Sequence, residues 1–141
     1  MLTKVIYDAA VIASDRSGIP TDWIVAQWAH ETGNFTSELC VNYCNYAGIT
    51  QIESNDLPQP DGNYYYRKFP DVVAFGTYFG KYLLLLDGIE NAADSLESYI
   101  TCLNFNGYFG ADYDEYLSAC CYWLKYYEKE LFNYGNAEAF T

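Results

Sequence analysis

One glutamate in this chain stands where a carboxylate is costly. Glu31 follows Trp23 to Ala29, a run without a charged residue, and spacing by four sets it on the helical face of Trp23 and Gln27. Burial beside such a face disfavours the ionised form. Gly33 stands where a helix C-terminal glycine belongs, so Glu31 also falls in the last turn, where the negative end of the macrodipole opposes a second negative charge. Both effects raise its pKa. A carboxylic acid that keeps its proton near neutral pH is what cleavage of a glycosidic bond requires, because the leaving oxygen must be protonated as the C–O bond breaks. From pattern alone, the reading of Glu31 as an ordinary solvated helix-end residue stands beside this one.

Other reactive residues carry less. His30 adjoins Glu31, but neighbours on a helix point about a hundred degrees apart, so packing or a helix C-terminal contact is expected rather than a dyad. Cys40 and Cys44 lie four apart, and a single histidine in the chain leaves a zinc site short of ligands, so no metal and no other cofactor is expected. Five cysteines in a domain of this size read as mostly buried free thiols. Sixteen tyrosines offer faces for sugar rings and hydroxyls to bond them, although most must be core or surface filler. Trp28, inside the apolar helix, reads as buried more readily than as a ligand contact.

The elements that would position Glu31 follow from periodicity. Val5, Ile6, Ala9, Ala10, Ile12 and Ala13 recur at helical spacing up to the Ser17-Gly18-Ile19-Pro20 break. Thr21 is placed to cap a second helix that is apolar nearly all round and runs through the core. Between Thr50 and Phe69 the helical period disappears among Asn55-Asp56, two prolines and Asp61-Gly62-Asn63, which predicts a small hairpin lobe over about 50–69 including Tyr64 to Tyr66. In that strand Tyr64 and Tyr66 share one face and Tyr65 takes the other. Asp71 caps a helix carrying Val72, Phe75, Phe79, Tyr82 and Leu83, and another helix is expected from about Asn91 to Leu103. Asp112 and Glu115 open a last helix whose core stripe is Tyr116, Leu117, Cys120, Trp123, Leu124, Tyr127 and Leu131, with residues 135–141 as a tail. Helices, an inserted β-lobe and helices again describe one α+β domain over residues 1–141, with a substrate cleft between two lobes.

Composition narrows the partners. The chain is 51% apolar and 19% aromatic, enough for a core, and it holds no apolar run near the roughly eighteen residues a membrane span needs. Membrane insertion is not expected. The N-terminus lacks the basic-then-apolar order of a signal peptide, so the chain reads as carrying no export signal of its own. A net charge of −12 repels phosphate backbones, which argues against nucleic acid. The same charge means that affinity for an anionic polymer would have to come from stacking and hydrogen bonds in a groove.

Four segments, in order, resemble one family. Gln27 to Ser37, QWAHETGNFTS, resembles the catalytic helix end of the glucosaminidase family of peptidoglycan hydrolases, glycoside hydrolase family 73. Asn45 to Ile49, NYAGI, is similar to that family's segment leading into its β-lobe, and Tyr66 to Phe69, YRKF, to the strand that leaves it. Gly107 to Tyr116, GYFGADYDEY, resembles its Gly-Tyr segment before the terminal helix, so the likeness covers roughly residues 3–130. It implies a lysozyme-like fold, mostly helical with a small β-hairpin lobe flanking the cleft. It also implies cleavage of the β-1,4 bond after N-acetylglucosamine in peptidoglycan glycan strands.

Carried over by position, the resemblance makes Glu31 the general acid and puts Tyr108 at the cleft among the catalytic residues. The family's second carboxylate lies on the hairpin, where this chain offers Glu53, Asp56 and Asp61, with Glu53 preferred because it follows NYAGI. Gln27, Asn45, Tyr46, Tyr66 and Tyr113 make up the expected substrate-binding set. The second carboxylate would activate water directly or assist the substrate's 2-acetamido group. Two other classes remain open: a muramidase or lytic transglycosylase of the same superfamily, although the latter's Gly-Leu-Met-Gln segment is missing here, and a non-catalytic wall-binding or virion structural module. The expected setting is the bacterial cell wall, reached by phage delivery, in a virion, or as one domain of a longer exported protein. A monomer is expected.

Overall fold

The computed structural model describes residues 1–50 and 66–139. Helix α1, Lys4–Ser17, begins at Thr3, whose hydroxyl accepts from the Ile6 amide at 3.3 Å, and stops at Gly18 in the left-handed region. Its buried face is Ile6, Ala9, Ala10 and Ala13, joined by Tyr7, while Val5 is exposed. Helix α2, Thr21–Glu31, buries Ile24 to Ala29 without interruption, as its uncharged sequence predicts. Thr21 does not cap it. Pro20 precedes the helix with φ already near −54°, its carbonyl takes the first helical bonds from Trp23 and Ile24, and Thr21 becomes the first helical residue. Trp28 lies sealed among Tyr46, Phe75 and Phe79, with ring centroids 5.1–5.7 Å away.

A short helix the pattern did not announce, α3 (Glu38–Tyr43), is capped by Ser37 and ends at Cys44 with φ +50°. The next helix, α4 (Val72–Leu84), starts as predicted, with the Asp71 carboxylate accepting from the Ala74 amide at 2.8 Å. It lies directly against α1. A Cβ placed on Gly76 would stand 2.4 Å from the Ala9 carbonyl oxygen, and one on Gly80 3.1 Å from the Ala13 Cα, so only glycine allows the two backbones this separation.

The helix expected over Asn91 to Leu103 is two elements. A 3-10 turn, Ile89–Asp94, meets Ser95 in extended conformation, and the Ser95 hydroxyl accepts from the Ser98 amide to start α5, Leu96–Phe105. Serine competes well for backbone donors, which makes it a better cap than helix interior. Asp112 caps α6, Tyr113–Tyr126, as its spacing predicted. The expected single last helix is broken at Tyr127, whose backbone leaves helical geometry while its hydroxyl accepts from the Leu2 amide at 3.2 Å and donates to Asn34. Helix α7, Glu128–Ala139, then runs through Gly135, so residues 135–139 are helix and the expected tail is corrected over them. Tyr134 packs on Tyr7 with centroids 5.2 Å apart, a tertiary contact that holds this segment to α1.

The fold is therefore mostly helical: α1 on α4, α2 on α1 and α6, and α5 on α6 and the 3-10 turn. Residues 51–65, which hold most of the expected hairpin lobe with Glu53, Asp56, Asp61, Tyr64 and Tyr65, lie outside the described residues, as do 140 and 141. Among the described residues the β structure is one antiparallel bridge, Thr50 to Tyr66. The five cysteines are free, with Cys40, Cys102 and Cys120 buried. Among the described residues no helix is long and apolar enough to cross a membrane.

Candidate active site

Glu31 is the last residue of α2, and the chain leaves it through a left-handed turn. Gly33, Asn34 and Phe35 have φ of 56°, 64° and 65°. Glycine adopts this region freely, asparagine tolerates it, and a buried phenylalanine does not. Five hydrogen bonds and the packing of the Phe35 ring offset the strain. Thr32 Oγ1 accepts from the Phe35 amide and donates to the Trp28 carbonyl, both at 2.7 Å, and the Asn34 amide reaches the Ala29 carbonyl at 2.8 Å. The Tyr127 hydroxyl donates to Asn34 Oδ1, and the Met1 amino group donates to the Asn34 carbonyl at 3.2 Å. The Phe35 ring is packed between Tyr46 and Tyr127.

The residue is exposed on its groove side while its carboxyl group is largely enclosed by protein. Tyr116 Oη donates to Glu31 Oε1 at 2.7 Å, and the Tyr116 ring stacks flat on Phe109, 4.0 Å between centroids and 5° between planes. His30 meets the same ring edge-on at 4.9 Å. Burial raises the Glu31 pKa, and the Tyr116 hydrogen bond and the His30 charge pull it part of the way back. The acid is thus biased towards holding its proton and is fixed in direction by a buried phenol.

A cavity of about 350 Å³ opens in front of it, walled by His30, Glu31, Tyr66, Tyr108, Phe109 and Tyr116 with Ala47 and Gly48. A second, of about 430 Å³, shares Ala47, Gly48, Tyr66 and Tyr108 and continues along Thr50, Tyr78 and Tyr82. Together they form one groove with tyrosines along its wall. Tyr108 borders both parts; its hydroxyl donates to the Ala47 carbonyl at 3.3 Å. Burial, with the Glu31 charge next, pushes its pKa well up, so the phenol stays neutral.

Glu31, Tyr108 and Tyr66 are therefore brought together at the groove. Gln27, Asn45, Tyr46 and Tyr113 are not. Gln27 is fully buried, its carbonyl oxygen accepting from the Tyr99 hydroxyl, because the face of α2 that carries it turns into the core. Asn45 is buried with its amide fully used: Nδ2 donates to the Ile49 and Arg67 carbonyls at 2.8 Å, and Oδ1 accepts from the Ala47 and Ile49 amides. It fastens the chain on both sides of residues 51–65 and sets the Ala47-Gly48 floor of the groove. Tyr46 is core, packed on Trp28, Phe35 and Phe75. Tyr113 spans α5 and α6, its hydroxyl bonded with Thr101 at 3.1 Å and to the Glu97 carbonyl at 3.3 Å.

Tyr116, which touches Glu31, was missed by sequence reasoning, having been placed only in the α6 core stripe, and Tyr78, Tyr82 and Phe109 on the groove wall were missed with it. The signal for Tyr116 was present: a tyrosine in a buried stripe must find a partner for its phenol. Among the described residues no group of three or more His, Cys, Asp or Glu side chains is placed to hold a metal ion.

The chain has relatives among known families and structures. The family described as "Glucosaminidase: Mannosyl-glycoprotein endo-beta-N-acetylglucosaminidase" matches residues 7–139. A solved structure, "Crystal structure of peptidoglycan hydrolase from Sphingomonas sp. A1", superposes with a TM-score of 0.66 over 83% of this chain and 84% of that one, at 17% identity. That likeness is one of fold. No curated protein matches the chain.

Proposed function

The chain belongs to the glucosaminidase family and is a glycoside hydrolase, and from that premise we propose that it cleaves the β-1,4 bond after N-acetylglucosamine in peptidoglycan, with Glu31 as general acid. The observation that carries this reading is the Glu31 carboxyl on the groove wall, its pKa raised by burial and its orientation fixed by Tyr116. The polymer is the one named for the protein from Sphingomonas sp. A1 that shares this fold.

In the proposed reaction a glycan strand lies along the groove, with its sugar faces against Tyr66, Tyr78, Tyr82 and Tyr108. Glu31 gives its proton to the glycosidic oxygen as the bond from that oxygen to the sugar's C1 breaks, and positive charge develops at C1. The ionised Glu31 left behind is held by Tyr116 and lies near His30. Water then attacks C1 and loses a proton. Either a carboxylate from residues 51–65 takes that proton, with Glu53 preferred over Asp56 and Asp61, or the substrate's own acetamido group first traps C1, that carboxylate steadies it, and the ionised Glu31 takes the water's proton back. A hairpin lobe carrying it across from Glu31 would complete a lysozyme-like cleft. Tyr108 supplies a neutral phenol beside the reacting sugar. The protein acts on the cell wall as a monomer, delivered by a phage or as a domain of an exported protein.

Digestion of purified walls, borohydride reduction and mass spectrometry test the bond. Reduced N-acetylglucosamine ends are expected; reduced muramic or 1,6-anhydro ends would assign the chain to muramidase or transglycosylase chemistry. Glu31→Gln should abolish clearing. Clearing that persists in this variant removes Glu31 from the role, and a wild type that clears no wall favours a binding module.

A further inference from the structure

We infer that the Arg67 guanidinium, stacked against Tyr78 of the tyrosine-lined groove, is a receptor for a carboxylate carried by the bound glycan. This rests on the reading that a glycan occupies the groove. Arg67 is held by its backbone on both sides: its amide donates to the Ile49 carbonyl at 2.9 Å and its carbonyl accepts from Asn45 Nδ2 at 2.8 Å. Its Cζ stands 4.7 Å from the Tyr78 ring centroid and 5.5 Å from that of Phe69, and these two rings are 5.4 Å apart. Tyr78 is itself part of the groove wall. The cation therefore lies against the buried Phe69 and against Tyr78, a ring of the groove wall.

Stacking uses the face of a guanidinium and leaves the N–H groups of its edge directed outward, in the fork that matches a carboxylate. The ion pair present among the described residues is Lys4 with Asp8, on α1. In a chain with nineteen acidic residues and seven basic ones, Arg67 rests on aromatic rings and forms no ion pair among the described residues, which leaves its guanidinium edge able to take an anion. The glycan proposed above supplies one at every second sugar, either as the lactyl carboxylate of muramic acid or as a carboxylate of the stem peptide attached there. A fixed receptor for a group of that period selects one register of the strand over Glu31, and so favours one of its two kinds of bond.

Calorimetry on the cleavage-deficient Glu31→Gln protein, with three probes, tests the assignment: glycan oligomers stripped of stems, oligomers with stems intact, and N-acetylglucosamine tetramers that carry no carboxylate. At least one carboxylate probe should bind about tenfold tighter than the tetramer. Arg67→Gln should remove that advantage and leave tetramer affinity unchanged. Preference for the stripped oligomer identifies the lactyl group, and preference for the intact one identifies the stem. In the protein that keeps Arg67, added salt should shrink the advantage and spare the tetramer, a measurement that needs no folded variant at position 67. Equal affinity for all three probes, an advantage that survives Arg67→Gln, or one indifferent to salt overturns the inference. Wall clearing by the unmutated chain is scored separately, so failure to cleave counts against the proposed function and leaves the binding comparison to decide Arg67.

Discussion

The hydroxyl of Tyr116 donates to Oε1 of Glu31 across 2.7 Å, tying the first turn of α6 to the last residue of α2. Two opposed effects meet in that contact. Enclosure by protein favours the protonated acid, while a donor aimed at the carboxylate favours the ionised one, and burial is the larger. The Glu31 pKa is thereby raised, but by less than burial alone would raise it.

Tyr116→Phe removes the donor and leaves the burial. The Glu31 pKa should then rise further, and the alkaline limb of the kcat/KM profile, where the general acid deprotonates, should move to higher pH. Lost orientation should also lower kcat by roughly one to two orders of magnitude. A profile unmoved in pH would show that Glu31 does not set that limb.

Glu31 should weaken the fold at neutral pH. Its folded-state pKa lies above the unfolded one, so its contribution to stability is full below the unfolded value and is lost as pH rises through the folded value. Glu31→Gln carries no such dependence. It is expected to melt higher than the wild type near pH 7, with the gap closing below the ordinary glutamate range; a gap constant in pH would contradict the raised pKa.

Asn45→Ala strips four hydrogen bonds from the two chain segments that frame the groove floor. At about 1 kcal/mol each, less what water restores, denaturant melts should show a loss of roughly 2–4 kcal/mol. Activity should fall by more than the unfolded fraction explains, because Ala47 and Gly48 line the cavity before Glu31. Full activity in the folded fraction would mean that the floor tolerates displacement.

Two glycines in helices should respond oppositely to alanine. Gly76→Ala drives a methyl to 2.4 Å from the Ala9 carbonyl oxygen and should cost about 1–3 kcal/mol as α1 and α4 are forced apart. At Gly135 the added Cβ meets the Tyr7 hydroxyl at 3.5 Å, an ordinary contact, so the better helix propensity of alanine should stabilise by about 0.5–1 kcal/mol. Paired thermal melts read both signs, and a stabilising Gly76→Ala would refute the close approach of α1 and α4.

The helical part of the fold was legible because its signals are local. Asp71 and Asp112 cap as their spacing requires, and the uncharged run ahead of Glu31 does run through the core. What sequence missed depends on packing between distant segments. The break at Tyr127 comes from bonds to Leu2 and Asn34, more than ninety residues away. Gln27 sits inside the same motif as Glu31, and Asn45 and Tyr46 inside the NYAGI motif, but a motif does not say which member faces the groove and which holds the loop beneath it. Tyr116 shows the converse, a residue read as packing that touches the acid itself.

The left-handed turn after Glu31 joins parts of the chain that are otherwise remote: Met1 and Tyr127 both end on Asn34, and Ala29 receives its amide. Amide exchange with solvent should reveal this as shared protection. Loosening the junction between α6 and α7 should speed exchange at Asn34 and Phe35 almost as much as at Tyr127 itself. Glu31 is then only as steady as the contact of Tyr127 with Asn34, and heat inactivation should begin with loosening there, ahead of any loss of the α1 and α4 core.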